Sequence, residues 1–194
     1  EIINFIEKNK IPGLSVTILN EDGNIEYSKG FGYADIEQKI NINPKNSIFR
    51  IGSFSKTLAG TALMKMYEEK KIEIDSPVGY YIKNLPADKK KITLKQIAGH
   101  LSGIRHYGDG DDMNLNLNYE NTSEALNIFI NDSLLFDPGT KYSYSTHAWT
   151  LLSLAMEKAY GENFIELMKN EILNPLQLNK TFAEEITPGN PAPG

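Results

Sequence analysis

The chain has 194 residues, 40% hydrophobic and 23% charged, which is typical of a folded globular protein with room for one core. Its net charge of −5 argues against nucleic acid or an anionic membrane as the main partner. The absence of cysteine excludes disulfides, thiol nucleophiles and cysteine-ligated zinc.

The first third of the chain predicts a helix followed by a β-hairpin. Apolar positions within 2–9 indicate a weak helix, which stops before a Pro-Gly pair. Apolar and polar residues alternate over 14–18, turn residues follow at 20–23, and the alternation resumes in a second strand that reaches residue 33. The stretch Ile48-Phe49-Arg50-Ile51 predicts a further short strand.

The remainder of the chain predicts helices. Positions 58, 59, 62, 63, 66 and 67 form a stripe along a helix over 53–70, which makes this stripe the main core candidate. Further helices are predicted over 93–101, from a capping sequence at 121–124, over 147–160 and over 162–173. We therefore expect an α+β domain spanning 1–194, with strands about 14–51, a helical block about 53–175 and an irregular tail at 187–194.

The sharpest chemical signal is a Ser-x-x-Lys sequence, formed by Ser53 and Lys56, at the predicted start of the long helix. Residues three apart on a helix share one face, so the amine can take the proton that a serine nucleophile must lose. The free N–H groups of a helix start also suit a developing oxyanion. A serine cap followed by a solvated lysine would give the same sequence, so both interpretations stay open at this point.

A second signal is Tyr144, within a Tyr/Ser run directly before the apolar helix over 147–160. A tyrosine near a lysine can have its phenol pKa lowered enough to act as a base. The same run is also typical of a short strand or a helix cap.

Metal and cofactor sites are not expected. His100, His106 and His147 do not have the spacing of a metal-binding pair, and the acidic stretch 109–114 has Asn114 at the sixth position, where a calcium-binding loop has glycine. No run of roughly 18 apolar residues predicts a membrane span, and no signal peptide is visible at the N-terminus.

Several segments together resemble the serine β-lactamase and penicillin-recognising hydrolase superfamily. The segment around Ser53 and Lys56 matches its nucleophile motif. The resemblance is greatest to the branch that holds class C β-lactamases, D-alanyl-D-alanine carboxypeptidases and esterases, and within it to the mitochondrial β-lactamase-like group and its bacterial relatives. It is carried, in chain order, by residues 11–16, 29–35, 43–57, 99–107, 131–139 and 144–146.

The resemblance implies a serine β-lactamase-like fold and a role for each site residue. Ser53 would be the acylated nucleophile, Lys56 its proton partner and Tyr144 a second base. Thr146 would contact substrate at a position where the family has an asparagine, so a hydroxyl replaces an amide. The family's later Lys-Thr-Gly or His-x-Gly motif does not occur after Tyr144. We therefore expect an N-terminal portion of the hydrolase that lacks later strands and one oxyanion donor, and that is poorly active alone.

Two classes of function follow from the resemblance. The first is a serine hydrolase that forms an acyl-enzyme with a peptide, ester or β-lactam, and the second is a catalytically silent scaffold or self-assembly module. The presence of Ser53, Lys56 and Tyr144 favours the first class. The expected partners are a small substrate and further copies of the chain. An extracytoplasmic bacterial location is favoured, with a mitochondrial location as the alternative.

Overall fold

The structure is a computed structural model that describes residues 1–108 and 119–184. The described chain forms two compact units, one of Glu1–Arg50 with Glu184 and one of Ile51–Ala183. The helices and strands are α1 (Ile2–Asn9), β1 (Gly13–Leu19), β2 (Ile25–Asp35), β3 (Ile40–Asn41), α2 (Ser55–Glu68), α3 (Leu94–Ala98), α4 (Thr122–Ala125), α5 (Thr146–Tyr160) and α6 (Phe164–Met168). The predicted tail at 187–194 and the acidic stretch 109–114 lie outside the described residues. The single domain over 1–194 stays a prediction.

The first unit contains the predicted helix and hairpin. β1 and β2 are antiparallel, with Gly13 opposite Gly32, and β3 pairs with the other edge of β2. The turn forms as predicted because the Asn20 side-chain oxygen accepts the N–H groups of Asp22 (3.1 Å) and Asn24 (2.8 Å). Gly32 has φ +69, and a Cβ there would lie 2.3 Å from a carbonyl oxygen, so this bend requires glycine.

The predicted strand at 48–51 is wrong. These residues have no regular secondary structure, and Ile48, Phe49 and Ile51 are 45 to 55% exposed. An apolar, β-favouring run becomes a strand only where a neighbouring strand accepts its hydrogen bonds. Among the described residues the sheet consists of β1, β2 and β3. None of residues 1–50 is buried, so the described part of this unit has no closed core.

The core of the second unit lies between its helices. The predicted stripe of α2 is confirmed at Ala59, Ala62, Leu63 and Met66, which are buried, while position 58 is partly buried and position 67 is 36% exposed. α5 faces the same core with Ala148, Leu151, Leu152, Ala155 and Met156. Each fully buried Leu or Met side chain contributes about 1.5–3 kcal/mol, so this packing fixes α2 and α5 against each other.

Side-chain caps fix where the later helices begin. The capping sequence at 121–124 is confirmed, since the Asn121 side chain accepts the N–H of Glu124. α5 begins the same way at Ser145, whose hydroxyl oxygen accepts the N–H of Ala148, and ends as predicted at Gly161 with φ +92. α6 begins at a capped residue and continues as a π-helical turn to Leu173.

α3 is shorter than predicted. It ends at Ala98 instead of continuing to residue 101, because His100 has φ +60 and leaves the helical conformation. The chain then turns through residues 100–106, which we call the histidine loop. This loop runs beside residues 143–146, which we call the tyrosine segment and which lead into α5.

Candidate active site

Ser53 and Lys56 lie together at the start of α2. Ser53 occupies a 3₁₀ turn, Gly52–Phe54, that leads directly into the helix, and the left-handed φ of +50 at Gly52 is one that glycine adopts without strain. The Lys56 Nζ donates a hydrogen bond to the Ser53 Oγ across 3.2 Å. Ser53 is exposed and Lys56 is half-buried, so the serine is accessible from solvent and the lysine is less so.

Tyr144 reaches the same hydroxyl from 91 residues further along the chain. Its phenol donates a hydrogen bond to the Ser53 Oγ across 2.6 Å, and the Lys56 Nζ lies 5.2 Å from the centre of its ring. The hydrogen bond from Lys56, with a further one from Ser53, lowers the pKa of the Tyr144 phenol. The tyrosine therefore ionises more readily than a free phenol and can accept a proton beside the serine.

Thr146 completes the group of predicted site residues. The Lys56 Nζ also donates to the Thr146 Oγ1 across 3.4 Å, so one amine contacts both hydroxyls. The structure thus brings Ser53, Lys56, Tyr144 and Thr146 together within the second unit. The neighbouring Ser55 donates its hydroxyl to the Gly52 carbonyl (2.7 Å) and does not take part in this group. A serine hydroxyl within hydrogen-bond reach of an amine and a phenol, each a base once it has lost its proton, has the geometry of an acyl-transfer site.

Two further side chains, which could not be assigned to the site from sequence, lie beside it. His100 and His106 lie against the Tyr144 ring, with centroids 4.4 Å and 5.2 Å away. Their spacing in the sequence bears only on metal binding. The signal that could have found them was the segment 99–107, one of those that carried the family resemblance.

Within 1–108 and 119–184, no group of three histidine, aspartate or glutamate side chains is placed to hold a metal ion. None of the described helices is both long enough and apolar enough to cross a membrane.

The chain also matches a known protein family over nearly its whole length. The family model described as Beta-lactamase matches residues 2–193. This chain belongs to the Beta-lactamase family. Family members are generally serine hydrolases, which accords with the exposed Ser53 beside Lys56 and Tyr144.

Individual relatives of this Beta-lactamase-family chain are distant but match most of it. The human mitochondrial serine beta-lactamase-like protein LACTB is 28% identical over 91% of this chain and 44% of its own length. Protein flp of Staphylococcus aureus (strain MW2) is 26% identical over 91% of this chain and 36% of its own length. The chain therefore spans less than half the length of these relatives.

A solved structure gives the same result for the fold. The octameric penicillin-binding protein homologue from Pyrococcus abyssi matches with a TM-score of 0.80 and 26% identity, over 92% of this chain and 42% of that one. The predicted β-lactamase-like α+β fold is thereby confirmed.

Proposed function

We propose that the full-length protein is a serine hydrolase that forms an acyl-enzyme on Ser53. The observation that carries this proposal is the contact of the Ser53 Oγ with both the Lys56 Nζ (3.2 Å) and the Tyr144 phenol (2.6 Å). A serine hydroxyl is a poor nucleophile until a neighbouring base removes its proton, and here two groups can do so.

The reaction would proceed in two steps. The Ser53 Oγ attacks a carbonyl carbon while its proton passes to the Tyr144 phenolate or to the neutral amine of Lys56, and the backbone N–H of Ser53 donates to the oxyanion. The carbon–heteroatom bond then breaks, and the leaving group takes that proton from the same pair. Water next attacks the ester on Ser53 and gives up a proton to the deprotonated Tyr144 or Lys56. This proton passes to the Ser53 Oγ as the acyl–oxygen bond breaks, which releases the acid and the free enzyme.

The substrate class we propose is a peptide, an ester or a β-lactam. Thr146 would donate its hydroxyl to the substrate carbonyl. The same Lys56 Nζ contacts the Thr146 Oγ1 (3.4 Å) and the Ser53 Oγ (3.2 Å), so the two hydroxyls lie in one site. A threonine hydroxyl has a shorter reach than the asparagine amide in the family's motif. This difference supports a peptide or ester preference over the β-lactam preference of class C enzymes.

The test is covalent labelling of the full-length protein with a fluorophosphonate and with a fluorescent penicillin, followed by intact-protein mass spectrometry. We expect one adduct per chain, on Ser53, and none on Ser53→Ala. Ser55→Ala is the matched control and should label like the wild type, because its hydroxyl bonds to the Gly52 carbonyl instead. An adduct on Ser53→Ala at the wild-type rate would rule out the nucleophile assignment.

The second candidate function is a silent scaffold that self-associates. It is supported by the Pyrococcus abyssi homologue, which is described as octameric. Light scattering coupled to gel filtration measures the mass in solution. A large assembly that takes no adduct from either probe would favour the scaffold, and a labelled protein of any mass would favour the hydrolase.

For location, we propose an extracytoplasmic bacterial protein, with mitochondria as the alternative. The relatives include a bacterial protein and a human mitochondrial protein, so both a bacterial and a mitochondrial location are proposed. Fractionation of cells that express the tagged full-length protein distinguishes them, and recovery in the bacterial cytosol would contradict the proposal.

A further inference from the structure

The tyrosine segment is fastened to the histidine loop on both sides of Tyr144. The carbonyl of His100 accepts the N–H of Ser143 (2.9 Å), and its ring Nδ1 accepts the N–H of Ser145 (3.1 Å). One residue therefore holds the backbone immediately before and immediately after the tyrosine. His100 has a left-handed φ of +60, and in this conformation both its carbonyl and its ring accept hydrogen bonds from the tyrosine segment.

His106 repeats the contact one residue further along. Its ring Nδ1 accepts the N–H of Thr146 (3.2 Å), the first residue of α5. Between the two histidines, the Ser145 hydroxyl donates to the Arg105 carbonyl (2.7 Å). Two consecutive backbone N–H groups thus depend on two imidazole nitrogens as acceptors.

The two rings also bear on the tyrosine itself. The His100 ring lies 4.4 Å from the Tyr144 ring at an interplanar angle of 33°, and the His106 ring meets it edge-on at 5.2 Å. The Tyr144 ring therefore packs against both imidazoles, and its phenol oxygen lies 2.6 Å from the Ser53 Oγ. The position of the second base is set by these rings and by the backbone they hold.

An Nδ1 atom that accepts a hydrogen bond carries no proton, so each neutral ring must carry its proton on Nε2. Protonation of Nδ1 would replace an acceptor with a donor that faces another N–H group. We infer that His100 and His106, as uncharged imidazoles, position Tyr144 on Ser53, and that protonation of either ring at Nδ1 releases the tyrosine segment. This inference rests on the acyl-transfer function proposed above.

The surroundings of the two rings disfavour their charged forms. The charged and titratable groups around them are Lys56 of α2, Tyr142 and Tyr144 before α5, Arg105 and Tyr107, and each other. Among these described neighbours there is no carboxylate to stabilise an imidazolium. Burial, followed by the positive charge of Lys56, lowers the pKa of both His100 and His106, although a backbone hydrogen bond with Ser145 opposes the shift at His100. These surroundings therefore favour the neutral rings that hold the segment.

The test compares asparagine and alanine at each histidine in the full-length protein. An asparagine side-chain oxygen can accept the same N–H group but does not titrate, and asparagine tolerates the left-handed conformation of residue 100. Alanine removes the acceptor. The measured quantity is the rate of fluorophosphonate labelling of Ser53 between pH 5 and pH 9.

We expect wild-type labelling to fall on the acid side as either imidazole takes up a proton. We call the decrease in labelling at low pH the acid limb. His100→Asn and His106→Asn should label within a few-fold of the wild type at pH 8. In each variant, the contribution of the replaced histidine to the acid limb should disappear. His100→Ala and His106→Ala should lose about 10-fold to 100-fold at all pH values, because a misplaced base costs rates of this order. In a Tyr144→Phe background the alanine changes should cost almost nothing further, since they act through Tyr144.

The control is His147→Asn. This third histidine lies in α5, is buried and stacks on Phe129, and its Nε2 lies 3.3 Å from the Arg105 guanidinium. It is outside the tyrosine segment, so its replacement should keep the acid limb. An unchanged acid limb in both His100→Asn and His106→Asn, or a full additional loss in the Tyr144→Phe background, would overturn the inference.

A second measurement separates this inference from the proposed function. Nitrogen NMR of the imidazoles in the wild type should show both rings neutral at pH 7 and protonated on Nε2. If no probe labels the wild type, the proposed function fails, and the NMR result alone decides the positions of the protons. Protonation on Nδ1 in either ring at pH 7 would overturn the inference.

Discussion

The two halves of the candidate site are held in place by different means. Ser53 and Lys56 are three residues apart, and the turn that opens α2 brings the Nζ within 3.2 Å of the Oγ. Tyr144 and Thr146 arrive from about 90 residues later and are held by the histidine loop. The first pair therefore depends on local backbone geometry, whereas the second depends on packing elsewhere in the unit.

The largest decrease in labelling rate should come from Lys56→Ala. This change leaves Ser53 in place but removes the amine that contacts both Ser53 and Thr146. We expect the labelling rate to fall by about 10³-fold or more, since proton transfer contributes roughly 10²–10⁴-fold and the pKa of Tyr144 also depends on this lysine. The labelling rate at saturating probe measures the effect.

Lys95→Ala is the matched control for the loss of a positive charge. Lys95 lies in the same unit, in an exposed pair with Asp75. Its replacement should leave labelling unchanged. A Lys56→Ala protein that labels within tenfold of the wild type would show that the local half of the site does not depend on its lysine.

Tyr144→Phe breaks the distant half without changing its packing. We expect a loss of about 10²–10³-fold, because the ring remains between the histidines but the proton acceptor is gone. If the phenolate is the base, as one route of the proposed mechanism has it, its formation is favoured by Lys56, which holds the pKa of the phenol below its ordinary value of 10.0. The wild-type rate should therefore rise with pH through an apparent pKa below 10, and this limb should vanish in the variant.

Tyr142→Phe serves as the control for that limb. Tyr142 is two residues earlier and 67% exposed, so its variant should retain both the rate and the limb. If Tyr144→Phe kept the alkaline limb unchanged, another group would have to be the base.

Gly103→Ala tests whether the distant half depends on the histidine loop. Gly103 has φ +74, and an added Cβ would lie 2.3 Å from the Phe136 carbonyl oxygen. We expect the free energy of unfolding to fall by about 1–3 kcal/mol and labelling to fall by about tenfold or more, because the loop must shift. Urea denaturation and labelling kinetics measure the two effects.

Gly161→Ala is a control with the same kind of backbone. Gly161 has φ +92 at the end of α5, but apart from its chain neighbours no described residue comes within 4 Å of an added Cβ. It should cost about 1–2 kcal/mol of stability from the left-handed backbone alone and leave labelling unchanged. Equal labelling rates in the two glycine variants would mean that the loop does not control the site.

The smallest effect is expected at Glu171, which lies outside both halves of the site. Lys65, then Tyr160 and Lys71, lower the pKa of Glu171 from 4.5 to about 2. Because the folded-state pKa is the lower one, the stabilisation is complete above about pH 4.5 and is lost as the pH falls towards 2. Its partly exposed lysine partners limit the contribution to about 1 kcal/mol.

Glu171→Gln should therefore lower the free energy of unfolding at pH 7, with a difference from the wild type that shrinks towards pH 2, and should not change labelling. Thermal denaturation as a function of pH measures this. Glu68→Gln, at an exposed position on α2, is the matched control and should change neither quantity. A constant difference from pH 7 to pH 2 would contradict the assigned cause.

Local sequence determined most of the secondary structure and half of the site. The hairpin, the buried stripe of α2 and the caps at Asn121 and Gly161 were all predictable, because each depends on residues within a few positions of one another. The Ser53–Lys56 contact was predictable for the same reason. The strand at 48–51 was predicted wrongly, because a strand also needs a neighbouring strand that composition does not reveal.

Only the tertiary structure brought the tyrosine segment to Ser53. Nothing in the spacing of Tyr144 and Ser53, 91 residues apart, indicates a distance of 2.6 Å, although the family resemblance supplied the pairing by position. The histidines show the same limit more clearly, since only the folded loop reveals that His100 and His106 accept consecutive backbone N–H groups. The physical reason is that side-chain acceptors across a loop are chosen by three-dimensional proximity, whereas contacts within one helical turn follow from backbone periodicity alone.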